Sequence, residues 1–161
     1  MAKPRLLSLM LCLAFVVGTA GCNEDNGVTS ANLSLVRLSV DAPSTIQSGA
    51  TFGVQVRALN VGLAGVHEGH VTVRLPAPLT VLALNASSGT SATFSNAISG
   101  ATVEWNLASL DSNSQSKLDI TTMGVLTGNE GTKKLTVVAS MTANGIKPGD
   151  ATAQGEVTLV E

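Results

Sequence analysis

The chain has 161 residues, enough for one domain and hardly for two. Its formal charge of −2 excludes a nucleic-acid protein built on a strong basic face, and its two cysteines exclude a disulfide framework. Charged residues make up 12% and aromatics 2%. The mean hydropathy of +0.33 averages two unlike segments. One is a dense apolar run from Leu6 to Val17; the other is a long remainder rich in Ser, Thr, Gly, Ala and Val.

The first element in chain order is an address. Lys3 and Arg5 form a short positive region ahead of the apolar run. That run is too short for a membrane-spanning helix, which needs about 20 apolar residues. Its length and flanks fit a secretory signal. Thr19-Ala20-Gly21-Cys22 follows and resembles the lipobox of bacterial lipoproteins, in which small residues precede a cysteine at the end of the apolar region. The resemblance implies that the Cys22 thiol receives diacylglycerol, that residues 1–21 are cut away, and that the new amine is acylated. Thr19 departs from the pattern, since Leu or Val is commoner three residues before the cysteine. The competing reading is an ordinary secretion signal cut near Ala20, with Cys22 incidental. Against it, Cys12 lies inside the apolar run, which leaves Cys22 as the single cysteine of an exported chain. One acyl chain anchors marginally and two anchor stably. The implied partner is therefore a membrane, reached through lipid on Cys22.

With Lys3 and Arg5 removed, residues 22–161 carry seven basic and eleven acidic side chains, a formal charge of −4. Residues 22–32 are polar and lack an apolar period, so they read as a tether. A coil of this length has a root-mean-square reach of roughly 17 Å. Asn23 is not the aspartate that keeps enterobacterial lipoproteins in the inner membrane. By that analogy the outer membrane is favoured.

From residue 33 onward the chain reads in twos. Leu33, Leu35, Leu38 and Val40 alternate with a phase slip at Val36-Arg37, which predicts a bulge. Phe52 to Ala58, Val71 to Leu75, Val103 to Leu107, Leu118 to Ile120, Leu135 to Met141 and Ala153 to Leu159 each alternate apolar with polar, and Val81 to Leu84 is a short apolar strand. Turn formers separate these runs, among them Ser48-Gly49, Pro76-Ala77-Pro78, Ser87-Ser88-Gly89, Asp111 to Ser114 and Pro148-Gly149-Asp150. No helical period stands out beyond the signal. The pattern predicts an all-β fold, an antiparallel β-sandwich of about seven or eight strands over residues 33–161. Its core is expected to hold Val, Leu, Ile and Ala around Phe52, Trp105 and Phe94.

Asn60-Val61-Gly62, Leu75-Pro76 and Trp105-Asn106-Leu107, in this order and spacing, are similar to the immunoglobulin-like repeat domain of bacterial surface proteins and to the cell-adhesion-related bacterial domain. The resemblance covers about residues 38–160 and implies an immunoglobulin-like sandwich. A cohesin-like fold is its nearest rival. Such repeat domains usually stand in tandem within long proteins, whereas this chain carries one copy.

Chemistry is sparse. His67-Glu68-Gly69-His70 is one residue short of the H-E-x-x-H spacing that puts two imidazoles on one helix face. It sits among Gly62, Gly65 and Gly69, so it reads as a solvated loop between strands, and positions three apart in a strand face opposite sides. No catalytic, cofactor or metal residue is assigned. Asp111-Ser112-Asn113-Ser114 reads as a polar turn and not as a calcium loop, and Lys133-Lys134 as a solvated strand start. A sugar platform needs exposed aromatic faces, and with Trp105 expected in the core few remain. The sequence thus points to a non-enzymatic, lipid-anchored envelope or surface module for adhesion or protein–protein contact. Its partners are the membrane and another envelope protein, with no nucleic acid and no small-molecule substrate. The alternatives are an accessory or pilot lipoprotein of a secretion or pilus machine, and a cohesin-like binding module.

Overall fold

The computed structural model describes residues 35–128, 131–144, 146 and 151–161. The signal segment, Cys22, the tether and Pro148 to Asp150 lie outside them. The described residues form ten strands and no helix. In chain order these are β1 (Val36–Asp41), β2 (Thr45–Gln47), β3 (Thr51–Asn60), β4 (Val66–Pro76), β5 (Leu79–Ala86), β6 (Thr90–Ala97), β7 (Gly100–Leu110), β8 (Gln115–Gly124), β9 (Thr132–Thr142) and β10 (Thr152–Val160).

The strands make two sheets, ordered β1-β3-β8-β5 and β2-β10-β9-β4-β7-β6. Strict alternation explains why they face each other. On β3, Phe52, Val54, Val56 and Ala58 are buried, while Thr51, Gly53, Arg57 and Leu59 are exposed. Opposite them, β7 and β9 bury Val103, Trp105, Leu107, Leu135, Val137, Ala139 and Met141. Burying one Val, Leu or Ile side chain contributes about 1.5–3 kcal/mol. β-Branched and aliphatic packing therefore carries this core, with Phe52 and the fully buried Trp105 as its aromatics.

The count exceeds the expected seven or eight strands because two short-signal segments also pair. Ala42-Pro43-Ser44 breaks the first strand and moves the chain between sheets. β1 pairs antiparallel with β3, whereas β2 pairs parallel with the end of β10, so the sandwich is not wholly antiparallel. Proline cannot donate to a ladder, which suits Pro43 to the crossing. β6, the second unexpected strand, has too few apolar residues to show a buried face in sequence.

Two further expectations are corrected. The bulge predicted at Val36-Arg37 is absent: Val36, Leu38 and Val40 share the inner phase, and the register with β3 is unbroken. The irregularity lies instead on β5, between Val81 and Ala83. Phe94 is not a core residue. It is 42% exposed, because the four-stranded sheet leaves the rim of the six-stranded one incompletely covered.

Side-chain amides close the gaps that the ladders leave. Asn60 is fully buried at the end of β3. Its Nδ2 donates to the carbonyls of Ala64 (2.8 Å) and Leu110 (2.9 Å), and its Oδ1 accepts from the Gly62 N–H (2.9 Å). Asn96 on β6 does the same between sheets. Its Oδ1 accepts from the Val81 N–H and its Nδ2 donates to the Val81 carbonyl, both at 2.9 Å, where β5 bulges. The amide stands in for a missing neighbouring strand.

The β6–β7 hairpin turns through Ile98 and Ser99 into Gly100. Gly100 has φ +126, and a β-carbon there would meet the Leu75 carbonyl oxygen at 2.2 Å. Only glycine satisfies both conditions. Gly100→Ala is expected to lower unfolding free energy by about 2 kcal/mol. Urea denaturation followed by Trp105 fluorescence checks this; an unchanged midpoint would contradict the packing.

Candidate functional site

His67, Glu68 and His70 belong to β4 and not to a loop. Glu68 adopts φ 54, which shifts the alternation so that His67 and Glu68 are both exposed before Gly69 turns inward. His70 then resumes the outer phase. Both imidazoles are thereby on the exposed side, contrary to the expectation for an unbroken strand. Gly69 packs closely on the inner side, where a β-carbon would approach Met141 Cε to 2.7 Å and push that flexible side chain aside. Asn144 Nδ2 donates to Glu68 Oε2 at 3.3 Å. Among the described residues, no three of His, Cys, Asp and Glu come together.

A shallow pocket of about 600 Å³ lies beside this segment. Register places His70 of β4, Asn106 of β7 and Ser91 of β6 in one cross-strand row along its floor. The next row holds Thr72, Glu104 and Thr93, with Thr72 Oγ1 donating to Glu104 Oε2 at 2.9 Å. The outer surface of the six-stranded sheet is thus a hydroxyl-rich plateau.

The outer surface of the four-stranded sheet carries a polar chain across three strands. Arg57 reaches Asp41 at 3.5 Å and donates through Nε to Gln55 Oε1; Gln55 Nε2 donates to Asp119, and Lys117 sits 3.2 Å from the same carboxylate. The Gln55 hydrogen bond, aided by Lys117, holds the Asp119 carboxyl below the usual carboxylate range against the opposing effect of burial. Pairs this exposed contribute little to stability. Asp111 to Ser114 is the expected polar turn, with Ser114 N and Oγ bonded to the Asp111 carbonyl. Lys134, at the start of β9, pairs with Glu156 of β10 at 2.8 Å.

Of the aromatics among the described residues, Trp105 and Phe52 are buried and Phe94 reaches solvent. Among the described residues these three rings do not combine into a stacking platform. Phe94 instead marks the rim strand β6, which the sequence did not reveal. Its run Thr90-Ser91-Ala92-Thr93-Phe94-Ser95-Asn96-Ala97 contains no charge, proline or glycine and keeps an unbroken register with β7. Nearby Leu82, at the β5 bulge, is 46% exposed. An uncharged, regular rim strand with a half-exposed aromatic is a ready template for another strand.

Comparison with solved structures places this architecture. The CARDB domain of the PF1109 protein from Pyrococcus furiosus, solved in complex with di-metal ions, matches with TM-score 0.55 at 14% identity over 80% of this chain and 90% of that one. A cohesin module from a Clostridium perfringens family 33 glycoside hydrolase matches with TM-score 0.54 at 13% identity, over 80% of this chain and 98% of that one. A non-cellulosomal cohesin from Archaeoglobus fulgidus matches with TM-score 0.51 at 16% identity, over 78% and 92%. The fold is an immunoglobulin-like sandwich. At these identities the likeness concerns the fold alone. No family model matches the sequence, and no curated protein sequence matches it.

Proposed function

We propose that this protein is a non-catalytic binding module of the bacterial envelope, held to a membrane by lipid on Cys22. The observation that carries the binding role is the regular, uncharged β6 rim with half-exposed Phe94 on a cohesin- and CARDB-like sandwich. The surface chemistry fits: the outer face of the six-stranded sheet is hydroxyl-rich and that of the four-stranded sheet carries a chain of charged and amide side chains, both suited to contact with another protein. The Thr19-Ala20-Gly21-Cys22 sequence supports the anchor, and Asn23 supports the outer membrane. Adhesion or assembly of a surface complex is the role this reading assigns.

Crosslinking in intact cells followed by mass spectrometry tests it, because it reports partner and compartment together. The expected product is a crosslink from β6 or its neighbours to an envelope protein. Recovery of cytoplasmic proteins alone would overturn the reading. The anchor is tested separately: the protein is expected in the detergent phase of a membrane partition, and Cys22→Ala is expected to move it to the aqueous phase. A variant that stays membrane-bound would refute lipidation at Cys22.

A further inference from the structure

The outer face of the six-stranded sheet is dented where β4 and β7 change phase together. His67 pairs with Ser109 and Gly69 with Leu107, but Glu68 and Ala108 between them do not pair. His67 and Glu68 are both exposed on β4, as are Ala108 and Ser109 on β7. Gly69 and Gly89 add no side chain to this surface and Ala108 adds only a methyl, which leaves the pocket of about 600 Å³. Glu68 borders it with φ 54, a conformation that glycine adopts freely and other residues adopt at a cost. The position nevertheless holds a carboxylate.

The polar groups around the pocket are unengaged. Glu68 Oε2 accepts from Asn144 Nδ2 at 3.3 Å, which leaves Oε1 free. Arg57, Lys117 and Lys134 form their ion pairs elsewhere, and among the described residues no cation answers Glu68. His70, Asn106 and Ser91 share one cross-strand row, and their side chains make no hydrogen bond among the described residues. Three strands thus present a carboxylate, an amide oxygen, a hydroxyl and an imidazole around one depression.

We infer that this pocket takes the ammonium of a lysine side chain displayed by a partner protein. This deepens the binding-module reading and rests on it. An ammonium has three donors and no acceptor, which matches three separate acceptors: the Glu68 carboxylate, the Asn106 amide oxygen and the Ser91 hydroxyl. A guanidinium is a rigid fork, better suited to a single carboxylate. The four-carbon stem of lysine can lie along Gly69 and Ala108 while its head reaches Glu68. Charge favours the same guest, because the chain carries eleven acidic against nine basic side chains. Depth selects a side chain over a free amine. Small-molecule sites bury about 70–90% of their ligand. This pocket is shallow, so it holds the tip of a group that a larger surface delivers.

Carbodiimide coupling in intact cells tests this, because it forms an amide between a carboxylate and an amine in contact, with no spacer. The expected product, read by mass spectrometry, is an isopeptide bond from Glu68 to a lysine of an envelope protein. Glu68→Gln removes the reactive group itself, so its effect is read without crosslinker. The amount of that protein co-purifying with the intact chain is expected to fall by about tenfold or more. Asn106→Lys keeps Glu68 and sets the chain's own ammonium in the pocket; it is expected to abolish coupling of Glu68 to the partner. Glu104→Gln alters a carboxylate in the next row and is expected to leave co-purification unchanged. Circular dichroism checks that each variant is folded, and if Glu68→Gln is not, Asn106→Lys decides. Coupling of Glu68 only within its own chain, or a partner retained in full by the folded variants, overturns the lysine site. A partner coupled through other carboxylates and never through Glu68 overturns the site and leaves the binding-module reading standing.

Discussion

Replacing Asn60 by leucine is expected to destabilise the protein by about 3–4 kcal/mol, although leucine has nearly the same size. Asn60 is fully buried, and its one amide serves the carbonyls of Ala64 and Leu110 and the N–H of Gly62. Leucine fills the space and leaves all these backbone groups without their partner. A buried polar group that loses its hydrogen bond costs about 1–3 kcal/mol, far more than an average bond contributes. Asn60→Asp sharpens the test. It keeps the shape but turns the donor toward two carbonyls into an oxygen, so it is expected to be at least as damaging. Urea unfolding monitored by Trp105 fluorescence measures both. A loss below that of an ordinary surface substitution, about 0.5 kcal/mol, would show that the turn does not depend on this amide.

Trp105→Ala is expected to cost about 3–5 kcal/mol, the range for truncating a large buried aromatic. The ring is fully buried on β7, in a core whose other members are mostly aliphatic, so its truncation leaves a large cavity. The indole Nε1–H has no hydrogen-bond partner among the described residues. Part of what the ring contributes is therefore offset by an unsatisfied donor. Trp105→Phe removes that donor and keeps most of the apolar volume, so it is expected to cost only about 1–2 kcal/mol. Thermal and urea unfolding by circular dichroism separate the two variants. A Trp105→Phe loss as large as that of Trp105→Ala would contradict this, because it would show that the retained apolar volume does not decide the cost.

How much of this was legible in one dimension varied with the kind of residue. β3, β7 and β9 were readable because their apolar and polar residues alternate without interruption, and burial follows that phase from Phe52 to Ala58, from Val103 to Leu107 and from Leu135 to Met141. Asn60-Val61-Gly62 was readable as a turn, though not the fact that Asn60 joins β3, its loop and the end of β7. The His67–His70 segment was misread because its glycines imitate a loop. Glu68 at φ 54 bends a strand without ending it, and such a dihedral leaves no period in the sequence. β6 was invisible for the opposite reason. A rim strand buries almost nothing, so hydroxyls and alanines carry no period to detect.

The sequence by itself determined the class of fold, the inward phase of the long strands, the burial of Phe52 and Trp105, and the expectation of a lipidated Cys22. These follow from local pattern, whether a period of two, a turn residue or a short motif. The tertiary structure decided the rest. It split the first strand between two sheets at Pro43, placed the bulge on β5 where Asn96 completes it, and left Phe94 half exposed on an unprotected rim. The physical reason is that these features depend on which strands end a sheet. That is fixed by pairing between residues distant in sequence, and no local period records it. The 2% of aromatic residues illustrates the division. Composition alone argued against a sugar platform, but only the sandwich showed that Phe94, alone of the described aromatics, stays half exposed.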